Sequence, residues 1–197
     1  MIQGNVCKRC RRMGVKLFLK GERCFLPKCS ATRRPYPPGM HGQKRTRRAS
    51  EYSKQLQEKQ KAKAIYGLTE QSMKNYVKRA AGKGKNQGEE LIKILESRLD
   101  NVLCRSGLAS SRRSSRQMIG HGNVKIDDKK VDIPSYRVKL GQAIKLSSTV
   151  KNKPLAECPN WLKTDLKKQT VTIAALPTAQ DGGNEYDIKL IIEFYAR

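Results

Sequence analysis

The chain has 197 residues, 42 Lys and Arg against 17 Asp and Glu, and a formal net charge of +25. That length holds one medium domain or two small ones, and so large a charge opposes compact folding unless something anionic accompanies it. No apolar run approaches the roughly 20 residues of a membrane span, and no basic amphipathic helix shows a clean apolar face, so nucleic acid stands ahead of a membrane as the partner.

The start, MIQGNVCKRC, meets charge before any apolar stretch, so no signal peptide is expected and the six cysteines are expected reduced, metal-bound or buried. The compartment expected is the cytosol or its organellar equivalent. Residues 1–85 carry 23 basic and 4 acidic residues, whereas 86–197 carry 19 and 13. Apolar periodicity strengthens after about residue 88. Two zones with different jobs follow.

The first zone opens on CKRCRRMGVKLFLKGERCFLPKC (7–29). Its spacing is C-x2-C, thirteen residues, then C-x4-C, which can deliver Cys7, Cys10, Cys24 and Cys29 in pairs to one tetrahedral metal. A redox CxxC lacks the strand–helix surroundings it needs. Zinc is the default and a 4Fe–4S cluster the alternative; four thiolates leave no open position, so the role is structural. Lys8, Arg9, Arg11, Arg12 and Arg23 surround the thiols, and their surplus charge suits phosphate.

ATRRPYPPGMHGQKRTRRAS (31–50) is too rich in Pro, Gly and cations for a core and reads as an irregular basic arm. It carries Arg33 and Arg34, then Lys44, Arg45, Arg47 and Arg48 beside Gly42. His41 has no Cys or carboxylate at ligand spacing and reads as a packing or backbone-contacting residue. Ser50 can cap a helix over EYSKQLQEKQKAKAIY, with Gly67 as its stop. Its Lys54, Lys59, Lys61 and Lys63 suit either a solvated face or phosphate contact. Thr69 can cap a second helix to about Arg79, and AAGKGKNQG (80–88) reads as a break.

In the second zone Leu91, Ile92, Leu95, Leu99, Val102 and Leu103 recur at helical spacing, predicting one helix over 89–105, with Gly107 beyond its end and Cys104 in its core. Ser110 or Ser111 can cap a short helix, RRSSRQMI. There Arg112 and Arg116 lie four apart on one face, with Arg113 and Gln117 on the adjacent stripe. A capped N-terminus plus a row of Arg can hold a sugar–phosphate backbone by dipole and charge together. GNVKIDDKKVDIP (122–134) predicts a hairpin turning at Asp127-Asp128, and QAIKLSS (142–148) a further strand. KNKPLAECPNWLKTD reads as loop, with Cys158 unexplained; KQTVTIAAL (168–176) and YDIKLIIEFY (186–195) read as strands. The fold class is α+β: a four-cysteine metal knuckle and basic arm (1–49), a helical region (50–88), a helix-turn-helix with a small antiparallel sheet (89–150), and a C-terminal loop and strands packing back on the body (151–197).

Several stretches together resemble the family of bacterial-type small-subunit ribosomal protein S-four: LFLKGERC (17–24), YPPGMHG (36–42), SEYSKQLQEKQKAKAIYG (50–67), ESRLDNVLCRSGLASSR (96–112), SRQMIGHG (115–122), KKVDIPSYRVKLGQAIKL (129–146) and LIIEFYAR (190–197). The piece from about 96 to 148 is similar to the RNA-binding module named after that family. The resemblance implies a primary binder of 16S-type rRNA that nucleates small-subunit assembly, with His121 joining the rRNA-binding set. It also implies contact with protein S-five, an interface linked to decoding fidelity. With S-three and S-five, the arm at Lys44, Arg45, Arg47 and Arg48 would face mRNA at the entry channel. The family's hairpin turn is usually Asn-Gly rather than Asp-Asp, and the helix usually found after the module is mostly missing between Lys151 and Trp161.

Two rival functions are weighed against this. RLD (98–100) resembles the nucleophile motif of pseudouridine synthases, but its separation from SGL exceeds what that motif allows, and no paired acid, triad or phosphate-cradling loop appears. A zinc-finger DNA binder would need a recognition helix after the cysteines. Cations spread through irregular chain suit RNA better, which is read by shape and phosphate.

Overall fold

The computed structural model describes residues 5–44, 48–82, 86–147, 158–182 and 185–196. Arg45, Arg47, the centre of the 80–88 break and residues 151–157 of the loop expected over 151–165 lie outside the described residues. The chain divides into two units: Met1–Gly88 with Gly183–Arg197, and Glu89–Gly182. The segment 151–197, set apart by the sequence reading, is thus shared between them. Helices and an antiparallel five-stranded sheet make the fold α+β.

The first unit begins with a helix the sequence reading does not anticipate, α1 (Val6–Met13). Asn5 caps it by accepting the Cys7 N–H at 3.2 Å, and Gly14 ends it in the left-handed region at φ 71°. A 3-10 turn (Gly21–Cys24) and a single helical turn, α2 (Ser30–Arg33), follow. Ser50 accepts the Ser53 N–H at 3.3 Å and opens α3 (Glu51–Ile65). Past Tyr66 the chain closes that helix with a Schellman pair: Leu68 N–H donates to Lys63 O and Gly67 N–H to Ala64 O, with Gly67 at φ 59°. Thr69 caps α4 (Glu70–Ala81). Met73, Val77 and Ala80 of α4 join Ala62, Ile65 and Tyr66 in the unit's buried interior.

The last element of this unit corrects an expectation. Residues 186–195 form not a strand but a helix, α8 (Ile188–Ala196), packed on α3 and α4. The apolar residues at 188, 190, 192 and 194 do alternate, but those at 188, 191, 192 and 195 also follow helical spacing, and short apolar runs satisfy both periods. Tertiary surroundings decide. Asp187 accepts the Lys189 N–H at 2.8 Å, and its own N–H donates to Glu58 of α3. Ile191 is fully buried.

In the second unit the helix expected over 89–105 is two helices, α5 (Gln87–Glu96) and α6 (Leu99–Arg105). The break at Ser97 and Arg98 exchanges helical bonds for pairing with 134–138. Leu99 N–H donates to Tyr136 O, Asp100 N–H to Pro134 O, and Ser97 O accepts from Val138. Ser111 caps α7 (Arg112–Gly120). The sheet comprises β1 (Val124–Ile126), β2 (Lys129–Lys130), β3 (Ala143–Leu146), β4 (Leu162–Asp165) and β5 (Thr170–Ile173), in the order β2-β1-β3-β5-β4. The β1–β2 turn uses Asp127 and Asp128 at φ 47° and 62°, the left-handed pair a tight primed turn requires. Asp127 is further held by the Ala143 N–H at 3.0 Å.

Strand β4 falls in a stretch expected to be loop. Its four residues carry little alternation, and its ladder to β5 defines it. Val124, Ile126, Ile144, Leu146, Val171 and Ile173 turn inward against Leu99, Val102, Leu103 and Ile119. Each such side chain contributes about 1.5–3 kcal/mol through burial. Cys104, expected in the core, is half-buried on α6, and Cys158 is exposed with Sγ 3.2 Å from Thr164 Oγ1.

Candidate nucleic-acid interface

Cys7 and Cys10 lie one turn apart on α1, Cys24 ends the 3-10 turn, and Cys29 caps α2. All four line one small cavity with Val6, Leu19, Lys20 and Ala31. The Lys20 N–H donates to Cys24 Sγ at 3.4 Å. Burial pushes the Cys10 and Cys24 thiols up. At Cys29 burial acts the same way, but the N–H groups of Ala31 and Thr32 outweigh it and bring the thiol down. Among the described residues no group of three or more Cys, His, Asp or Glu side chains is disposed to hold a metal ion. The spacing brings the thiols to one cavity, and the structure shows that much.

The cations of this region divide by what holds them. Lys8, Arg12, Arg23, Arg33 and Arg34 are exposed, as are Lys44, Arg48 and His41. Arg9 is half-buried. Arg11 plays a structural part. Its Nε donates to the carbonyls of Arg34 and Tyr36, and its guanidinium lies 4.8 Å from the Tyr36 ring centroid. It pins the start of the proline-rich arm to α1.

The α3 lysines are bound inside their own unit. Lys54 pairs with Glu51 at 3.2 Å, Lys61 with Glu58 at 2.6 Å, and Lys63 with Glu70 at 2.6 Å. Lys59 departs furthest from the expected rRNA-binding set. It is 5% exposed, its ammonium lies 3.0 Å from Glu70 Oε1, and it sits 4.1 Å from the Phe194 ring centroid. A buried ammonium is stable only when so partnered, and Lys59 is out of a phosphate's reach.

In the second unit α7 presents two different stripes. Arg113, Gln117 and the following His121 are exposed. Arg112 and Arg116 are half-buried and held from beneath: Arg112 Nε donates to Asn101 Oδ1 and Arg116 Nε to Asp100 Oδ2, both at 2.7 Å. Asp100 also takes Arg98 in a two-point pair at 3.0 and 2.7 Å, all but closed to solvent. Asn101 donates to the buried Glu96 at 2.8 Å, and Arg105 joins the same carboxylate. A chain of fixed polar groups thus locks the inner Arg stripe and, with it, the orientation of α7.

Both arginines are visible in the sequence by their spacing, but their anchors are not. Asp100 figures there only as a rejected nucleophile, and Asn101 not at all. The available signal is a pair of polar residues inside an apolar helical pattern, which must be partnered when buried. Lys125, Lys130 and Lys145 are also passed over, though alternation along β1 and β3 assigns two of them to the polar face.

Two family descriptions match the sequence: "Ribosomal protein S4/S9 N-terminal domain" over residues 1–96 and "S4 domain" over residues 97–144. The chain is 44% identical to small ribosomal subunit protein uS4 of Thermus thermophilus, covering 98% of each. It is 44% identical to the uS4 of Syntrophomonas wolfei and 45% identical to the uS4A of Alkaliphilus oremlandii, over 98% of this chain and 97% of each relative. Among the described residues no helix is long and apolar enough to cross a membrane.

Proposed function

Because the chain belongs to the uS4 family of small ribosomal subunit proteins, we propose that it binds 16S-type rRNA directly and early, nucleating assembly of the subunit. It is a structural component and not an enzyme. The observation that carries the rRNA reading is α7, whose exposed Arg113, Gln117 and His121 are backed by Arg112 and Arg116 fixed on Asn101 and Asp100. Charge held in a fixed place binds a sugar–phosphate backbone at lower entropic cost than a mobile one. Lys8, Arg12, Arg23, Arg33 and Arg34 extend that capacity in the other unit. Filter binding tests it: 16S-type rRNA should be retained at moderate salt against excess duplex DNA, and equal retention of the DNA would contradict the reading.

The finer roles rest on the family. The chain would contact proteins S-five and S-three, with the S-five interface bearing on decoding fidelity. Lys44, Arg45, Arg47 and Arg48 would face mRNA at its entry channel, in a cytoplasmic or organellar ribosome. Neutralising these four should slow translation through structured mRNA more than subunit assembly; the opposite ranking in a reconstituted system would reject that role.

Cys7, Cys10, Cys24 and Cys29 would hold one metal, zinc or alternatively a 4Fe–4S cluster. Four soft donors around one cavity and an N–H···S bond at Cys24 support that fit. The metal would cross-link the α1 cysteines to Cys24 and Cys29, in a segment too small and too charged to build its own core.

A further inference from the structure

Three lysines stand side by side where a sheet with no partner would avoid them. Lys125 of β1 lies directly opposite Lys130 of β2 and directly opposite Lys145 of β3. Residues paired in this way share a face, here the one turned away from Val124, Ile126 and Ile144. Neighbouring strands are about 5 Å apart, so each lysine faces a like charge at close range, which opposes pairing of the strands. All three are exposed, and among the described residues none has an ion-pair partner. The row continues through Thr170 to Asp165, whose Oδ1 accepts the N–H groups of Lys167 and Lys168.

Lys130 joins this row to a second surface. Its side chain crosses the backbone of Gly122, filling the space a Cβ would occupy there. Gly122 follows His121 at the end of α7 and sits at φ 73°, a left-handed conformation that glycine adopts without strain. The exposed stripe Arg113–Gln117–His121 therefore runs on, past Gly122, to Lys130, Lys125 and Lys145.

We propose that Lys125, Lys130 and Lys145 form a second phosphate-binding row, continuous with α7, that holds the sugar–phosphate backbone of the same rRNA. This rests on the rRNA reading above and extends it to the sheet's outer face. The residues sharing that face in register, Ala143, Lys163, Asp165, Thr170 and Thr172, offer no aromatic ring for stacking a base. Lysines act as point charges without bidentate geometry, so the row grips the backbone and reads no sequence. The repulsion within the free sheet is relieved when phosphates arrive.

The test is the full chain carrying K125Q, K130Q and K145Q, titrated with 16S-type rRNA between 50 and 200 mM salt. Three lost phosphate contacts should flatten the log–log salt slope by about 2–3 and weaken binding about tenfold or more at 100 mM. The free variant should melt no lower than the parent, because a like-charge row has been removed. An unchanged slope, with Arg113→Gln still weakening binding, overturns the row and leaves the rRNA reading standing. A parent protein that retains duplex DNA as well as 16S-type rRNA overturns the rRNA reading itself. Weakened binding accompanied by a lower melting temperature assigns the lysines to packing and also overturns the row.

Discussion

Arg116 of α7 donates through Nε to Asp100 of α6 at 2.7 Å, and the same carboxylate already neutralises the buried Arg98. One aspartate thus serves an internal ion pair and the anchoring of α7 together. The two duties separate on mutation. Asp100→Asn strands the Arg98 guanidinium without its counter-charge and should cost about 3–5 kcal/mol in urea unfolding. Arg116→Gln leaves the Arg98 pair intact and should cost about 1 kcal/mol or less while still weakening rRNA binding.

Glu70 is the acid-sensitive joint of the first unit. Burial would raise its carboxyl, but hydrogen bonds from Lys63, Tyr195 and Lys59 prevail and hold it down, from 4.5 to about 2. A depressed carboxyl contributes stability that is fully present above its unfolded value and is lost as pH falls toward the folded one. The loss therefore falls between about pH 4.5 and 2. The side chain is 48% exposed, so solvent screening reduces the contribution to about 1–2 kcal/mol. Glu70→Gln should lose that amount at pH 7, and the gap to the parent should close as unfolding is measured down to about pH 2.5. A gap that stays constant with pH would contradict this.

Ile191 tests the helix that replaces the expected strand. Fully buried on α8, it should cost about 2–5 kcal/mol on truncation to Ala, read from the urea midpoint. Leu190 and Ile192, its half-buried neighbours, should cost less. In a strand with the apolar face 188–190–192–194 the ranking would be reversed.

What the sequence made legible were features that depend on local chemistry. Ser50, Thr69 and Ser111 cap helices because their oxygens satisfy the first free N–H groups. Gly67 and Gly107 stand beyond helix ends with positive φ. The Asp-Asp hairpin turns as placed, since Asp tolerates the left-handed region better than most residues. Hidden were features settled by distant partners. The break at Ser97 and Arg98 needs residues 134–138, β4 needs β5, and α8 needs α3. At the site, a count of cations found the basic surface but could not tell Arg113, which faces solvent, from Lys59, which is buried on Glu70 and Phe194.

For the cysteines, the expected outcome is one equivalent of zinc or one cluster per chain by elemental analysis and visible absorption. Replacing Cys10 with Ser should abolish the stoichiometric metal and loosen α1, seen as faster amide exchange over residues 6–13. Protein purified anaerobically with neither zinc nor iron would reject the metal.

If fixed cations hold the rRNA backbone, binding to 16S-type rRNA must depend steeply on salt. Over 50 to 200 mM salt, affinity should fall by about three orders of magnitude or more along a straight log–log line. A line that stays flat over that range would contradict the account.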